Sequence, residues 1–145
     1  MASICIVDDD LVSAEAVRLA LMDAGHRVET FPRGQELLDI TVGPAPDLVL
    51  LDLHMPGLNG IQVLERLKTT QVWPETAILM LTGSDDSHHL TEAHRLGANG
   101  YLSKPFNMSQ LLRNIARVLS DERVLWLDDY HSVSRSERVL TPRAA

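Results

Sequence analysis

The amino-acid sequence predicts a doubly wound α/β domain built from a five-stranded parallel sheet and five helices. Apolar runs of strand length alternate along the chain with stretches that repeat apolar residues every three or four positions, the order expected of an α/β fold. Three of the runs are apolar throughout, which marks parallel strands covered on both faces. Right-handed crossovers between such strands then give the doubly wound arrangement. At 145 residues the chain suits one domain of ordinary size.

Residues 3–7 form the first run, short and β-branched, read as a buried strand. Cys5 within it is the only cysteine. It reads as a small buried hydrophobe, and it leaves no internal disulfide or cysteine-based zinc site. Asp8-Asp9-Asp10 ends the strand, with Asp10 placed to cap the next helix. That helix sets Leu11, Ala14, Val17, Leu21 and Ala24 on one face, and Gly25 stops it.

Residues 26–31 alternate in the strand manner, and Pro32-Arg33-Gly34 leads into a short helix carrying Leu37, Leu38 and Ile40. After the loop 43–46 comes a fully apolar strand, 48–51, which delivers Asp52 at its end before Pro56 and Gly57 force a turn. Asn59 caps a helix with Ile61, Val63, Leu64 and Leu67 on its apolar side. Residues 77–81 are the third buried strand, broken by Thr82-Gly83-Ser84-Asp85. A more polar helix runs from Asp85 to Leu96 and ends at Gly97. A short strand, 100–102, precedes Ser103-Lys104-Pro105-Phe106. The last helix, 108–119, carries the stripe Met108, Leu111, Leu112, Ile115, Val118 and Leu119.

Composition narrows the function classes. An apolar fraction of 45% with 23% charged residues is globular. A net charge of −7 argues against nucleic-acid binding through a basic surface. No run approaches the ~20 apolar residues of a membrane helix. The N-terminus lacks a basic n-region, so it is not a signal peptide, and the expected location is the cytoplasm. No Gly-Lys-Ser/Thr occurs, which excludes a P-loop nucleotide enzyme.

In doubly wound sheets, ligands gather at the carboxyl ends of the strands. Asp8 and Asp9 follow the first strand, Asp52 ends the third, Thr82 the fourth, and Lys104 lies two residues past the fifth. Lys104 is one of only two lysines. Three carboxylates in one place repel one another unless a cation joins them, and a hard divalent ion such as Mg²⁺ suits oxygen ligands. A lysine and a threonine hydroxyl add donors for phosphoryl oxygens, and a carboxylate such as Asp52 can form an aspartyl-phosphate.

These residues resemble the receiver domain of two-component response regulators. The match spans residues 3 to about 120 and rests on Asp8-Asp9, Asp52 with Met55-Pro56 and Gly60, Thr82-Gly83, and Lys104-Pro105-Phe106. The resemblance implies the flavodoxin-like receiver fold and a regulatory phosphoacceptor, not an enzyme proper. It also implies Mg²⁺-dependent self-phosphorylation and self-dephosphorylation. Asp52 would accept a phosphoryl group from a histidine kinase or a histidine phosphotransfer protein. Asp9, Asp52 and the backbone carbonyl of His54 would hold Mg²⁺, or Mn²⁺ in its place, with Asp8 acting through water. Lys104 would contact the phosphoryl group and Thr82 would move to it. Tyr101 matches the aromatic switch position, and its other reading is a half-buried strand aromatic. The Lys104–Pro105 bond would be cis, and a homodimer on phosphorylation is a further expectation.

Of the other histidines, His88, His89 and His94 lack the i, i+4 spacing of a metal site and read as solvated surface. His54, two residues past Asp52, is placed to flank the phosphoryl group and influence how fast water reaches it. The chain changes character at Asp121, so residues 1–120 read as the receiver and 121–145 as a tail or linker. Trp126 and Leu127 fit a continued helix, packing on the domain, or a partner contact. Leu140-Thr141-Pro142-Arg143 resembles the opening of a helix-turn-helix output domain, through which alone nucleic acid would be reached. The alternatives are a stand-alone phosphorelay receiver and an aspartyl-phosphate phosphatase. The second usually needs a general acid close behind the nucleophile, where Leu53-His54 offers only a histidine.

Overall fold

The computed structural model describes residues 1–83 and 87–120. Five parallel strands, β1 (Ser3–Val7), β2 (Arg27–Phe31), β3 (Leu48–Asp52), β4 (Ala77–Thr82) and β5 (Gly100–Ser103), pair in the order β2-β1-β3-β4-β5. Five helices separate or follow them: α1 (Leu11–Asp23), α2 (Gly34–Leu38), α3 (Gly60–Thr69), α4 (Ser87–Arg95) and α5 (Met108–Leu119). The doubly wound prediction is what the chain adopts. No helix among the described residues is long and apolar enough to cross a membrane.

The pleat of the sheet divides the core in two. Successive side chains of a strand point to opposite faces. Ile4, Ile6, Leu48, Leu50, Leu79 and Leu81 therefore pack on one side, against Ala14, Val17 and Leu21 of α1 and Leu111, Ile115 and Val118 of α5. Cys5, Val7, Val49, Leu51, Ile78 and Met80 pack on the other, against Leu37 of α2, Val63, Leu64 and Leu67 of α3, and Leu90 and Ala93 of α4. Every residue of β3 and β4 is buried, as their uninterrupted apolar runs require.

Local chemistry sets the helix starts. Asp10 accepts a hydrogen bond from Ser13 N and caps α1, Asn59 and Gln62 form a reciprocal capping box at α3, and Asn107 caps α5. Three details differ from the sequence expectation. Leu11 is 66% exposed, because the first turn of α1 lies at the carboxyl edge where the sheet beneath it has ended. Ala24 is the exposed C-cap of that helix and contributes nothing to the buried stripe. Ile40 falls beyond the end of α2 and is half exposed. The expected helix residues 85 and 86 and everything past 120, including Trp126, Leu127 and the 140–143 motif, lie outside the described residues.

Gly60 fixes the loop behind β3. Its N–H donates to Leu53 O at 2.9 Å. A Cβ there would meet Asp52 O at 2.3 Å and Leu53 Cα at 2.9 Å, both backbone atoms that cannot move aside cheaply. Gly57, at φ +77°, has open space around it, so only its backbone conformation demands glycine. Gly60→Ala should therefore cost at least the ~1–3 kcal/mol typical of overpacking. Gly57→Ala should cost no more than the ~1–2 kcal/mol of a left-handed residue. Urea unfolding midpoints of the two variants check the order, and a milder loss for Gly60→Ala would contradict this account.

Candidate functional site

Strand register assembles the site. Val7 pairs with Leu51, so the next residue of each chain segment sets Asp8 beside Asp52. Asp52 pairs with Leu81, and Thr82 with Ser103, so Thr82 stands one strand and Lys104 two strands further along the same edge. Strand order reverses between β1 and β3, and such a switch point is where open α/β sheets hold ligands. Backbone hydrogen bonds tie the edge together: Leu53 N donates to Leu81 O at 3.0 Å and Lys104 N to Thr82 O at 2.8 Å.

Ligand atoms of Asp8, Asp9 and Asp52 lie within 4.8 Å of one another. Asp8 and Asp52 are buried and Asp9 is exposed. Lys104 Nζ lies 2.8 Å from Asp8 Oδ2 and 3.6 Å from Asp52 Oδ1. Asp10 N donates to Asp8 Oδ1 at 2.9 Å, which orients that carboxylate from within the same turn. The cation therefore sits closer to Asp8 than to Asp52.

Electrostatics reflects this imbalance. Burial first, then the neighbouring Asp8 charge, pushes the Asp52 carboxyl up to about 7, against the pull of Lys104. Burial lowers Lys104, but its hydrogen bond to Asp8 and the charges of Asp52 and Asp8 outweigh this and raise it. One ammonium does not balance the three carboxylates. Their convergent oxygens fit a hard divalent cation, which would supply the missing positive charge.

The residues singled out by sequence all reach this edge or its flank. Thr82 is buried, and its Oγ1 has no hydrogen-bond partner among the described residues. Tyr101 is 2% exposed, so its half-buried reading gives way to a fully buried ring. It pairs with Met80 and shares the α3/α4 face of the sheet with Met80 and Thr82, whereas Asp52 follows Leu48 and Leu50 on the other face. The Lys104–Pro105 peptide is cis. His54 is exposed just past Asp52, and its ring stands edge-on to that of His89 with centroids 5.7 Å apart. Sequence reasoning missed this second histidine, since 35 positions separate the pair and no local spacing joins them.

A five-stranded sheet in the order β2-β1-β3-β4-β5 with a carboxylate cluster at its switch point is suited to a divalent cation and phosphoryl chemistry, and comparison with known proteins assigns the family. The family model of the response regulator receiver domain matches residues 4–116. Response regulator MprA of Mycolicibacterium vanbaalenii is 36% identical over 116 residues, covering 80% of this chain and 49% of that protein. DNA-binding transcriptional regulator NtrC of Klebsiella pneumoniae is 34% identical over 115 residues, covering 79% of this chain and 24% of that protein. The solved structure of Vibrio cholerae chemotaxis protein CheY4 matches with a TM-score of 0.76 and 34% identity, covering 81% of this chain and 98% of that one. This chain belongs to the response regulator receiver domain family, whose role in two-component signalling is that of a regulatory phosphoacceptor. It spans about half the length, or less, of these curated relatives.

The Asp52 shift carries a pH prediction for the metal-free protein. The unfolded carboxyl titrates near the ordinary value of about 3.9, and the folded one near 7. Between those values the native state holds the extra proton, so stability falls as pH rises through this window. Asp52→Asn removes the charge. It should raise the unfolding midpoint above wild type at about pH 8, with the gain shrinking as pH is lowered toward 4. Denaturant titrations at several pH values in chelator check this, and a gain that does not change with pH would contradict it.

Proposed function

We propose that Asp52 accepts a phosphoryl group from a partner histidine kinase and that the added charge shifts the domain between two conformations. The observation carrying this reading is the convergence of Asp8, Asp9, Asp52 and Lys104 on one sheet edge, with Asp52 ending the central strand. An oxygen of Asp52 attacks phosphorus, the phosphorus–nitrogen bond of the donor phosphohistidine breaks, and its electron pair returns to the imidazole. Asp8, Asp9, Asp52 and the backbone carbonyl of His54 would hold Mg²⁺ or Mn²⁺, which neutralises charge on the transferring group. Lys104 supplies the protein's own cation at that point.

Phosphorylation adds roughly −1.5 to −2 charge and three acceptor oxygens. Thr82 is the natural respondent, because its buried hydroxyl has no hydrogen-bond partner among the described residues. Tyr101 shares its face of the sheet and would register the movement. His54, exposed beside Asp52, would influence how fast water reaches the phosphoryl group. Residues 1–120 make up the receiver and 121–145 a tail or linker. The shared length with longer relatives, one of them named as a DNA-binding transcriptional regulator, supports a linker leading to an output domain.

Incubation with Mg²⁺ and a small-molecule phosphodonor, followed by intact mass, should show one added phosphoryl group in the wild type and none in Asp52→Asn. An adduct that persists in Asp52→Asn, or never forms in the wild type, would overturn the assignment. Binding of Mg²⁺ to the native state alone should also raise stability, by about 2.7 kcal/mol at a hundredfold excess over Kd. Asp9→Asn should lose most of that gain, because Asp9 is exposed and has little other structural role. Thermal unfolding with and without Mg²⁺ measures both.

A further inference from the structure

We infer that His54 and His89 form a second metal site, chemically distinct from the acidic cluster, for a borderline divalent transition metal such as Zn²⁺. The two residues come from separate elements. His54 lies in the loop behind β3, two residues past Asp52, and His89 in the first turn of α4. Neither side chain is buried, so an ion in solution reaches both.

The ring geometry suits a shared ion. Zinc–nitrogen bonds of about 2.0–2.1 Å in tetrahedral geometry put the centres of two bound imidazoles about 5 Å apart. The rings of His54 and His89 are 5.7 Å apart and perpendicular, so a small side-chain adjustment brings a nitrogen of each to one ion. Edge-on ring packing alone also accommodates this distance, and the test below separates the two. Water would complete the coordination shell, and the ring centroid of His88 lies 4.6 Å from that of His89.

Ligand chemistry separates this site from the one beside it. Carboxylate oxygens suit hard ions such as Mg²⁺, whereas imidazole suits zinc, copper and nickel. Magnesium at saturation therefore fills the Asp8–Asp9–Asp52 cluster and leaves the histidine pair to a softer ion. An ion bound to both rings would tether the loop carrying His54, whose backbone carbonyl is the proposed fourth ligand of the acidic site, to α4. The site thus gives a route by which a transition metal acts on the domain without entering the acidic cluster.

The test is a Zn²⁺ titration of the full chain in saturating Mg²⁺, followed by calorimetry. Wild type should bind one Zn²⁺, and His54→Ala and His89→Ala should each weaken that binding about tenfold or more. His94→Ala, on the same helix but outside the pair, should bind as wild type does. Unfolding midpoints in the absence of zinc establish that the variants fold. Mass spectrometry after phosphodonor treatment of His89→Ala reads the Asp52 chemistry separately, so failure of one assignment leaves the other standing. Undiminished binding in His89→Ala, or no zinc binding by wild type in Mg²⁺, would overturn the inference.

Discussion

The structure depends on keeping two carboxylates, Asp8 and Asp52, at the end of a dry parallel sheet. Neither position is exposed enough for water to screen the charge, and the register of β1 against β3 sets them side by side. The repulsion is offset by one lysine just past β5, by a backbone N–H from Asp10, and by the proton Asp52 retains to about pH 7. The sheet must therefore be rigid enough to hold the acids together. Buried β3 and β4, sealed by helices on both faces, supply that rigidity.

The same pleat that builds the core sorts the site by role. Asp52 continues the parity of Leu48 and Leu50, whereas Thr82 and Tyr101 continue that of Ile78 and Met80. Charge chemistry thus gathers toward the α1/α5 layer and the hydroxyl–aromatic pair toward the α3/α4 layer. Thr82 ends its strand next to the acid yet points to the other layer. A change in its hydrogen bonding is felt first by the packing around Tyr101 and α4. No long relay is needed, because the two residues lie on neighbouring strands of one face.

Most of this was legible in the sequence because the signals are local or periodic. Uninterrupted apolar runs named the central strands, Asn59 and Asp10 announced helix starts, and glycines announced helix ends. The acids and Lys104 were legible because parallel strands all deliver their carboxyl ends to one edge, so position in the chain stands for position in space. Three-dimensional placement decided the rest. Leu11 has the right period but overhangs the sheet, and periodicity carries no information on where a sheet stops. Tyr101 is buried because it joins the core cluster that holds Met80, Leu90 and Ala93, which the residue's own neighbours in sequence do not reveal. The His54–His89 approach joins the loop behind β3 to the first turn of α4, and no spacing rule reaches that far.

Lys104 is the only ammonium at this edge among the described residues, and its distances say which acid it engages at rest. At 2.8 Å from Asp8 and 3.6 Å from Asp52, it is engaged mainly with the acid that does not end the central strand. In the proposed reaction, a phosphoryl group on Asp52 would bring a larger charge and pull the ammonium toward it, loosening its hold on Asp8. Asp8 then relies on a bound cation and on Asp10 N for compensation. In the proposed reaction, metal and phosphoryl group are therefore coupled through Asp8: each makes the other's binding more favourable. This coupling follows from there being one lysine for three carboxylates, so the shortage of positive charge that raises Asp52 at rest is also what makes the site responsive.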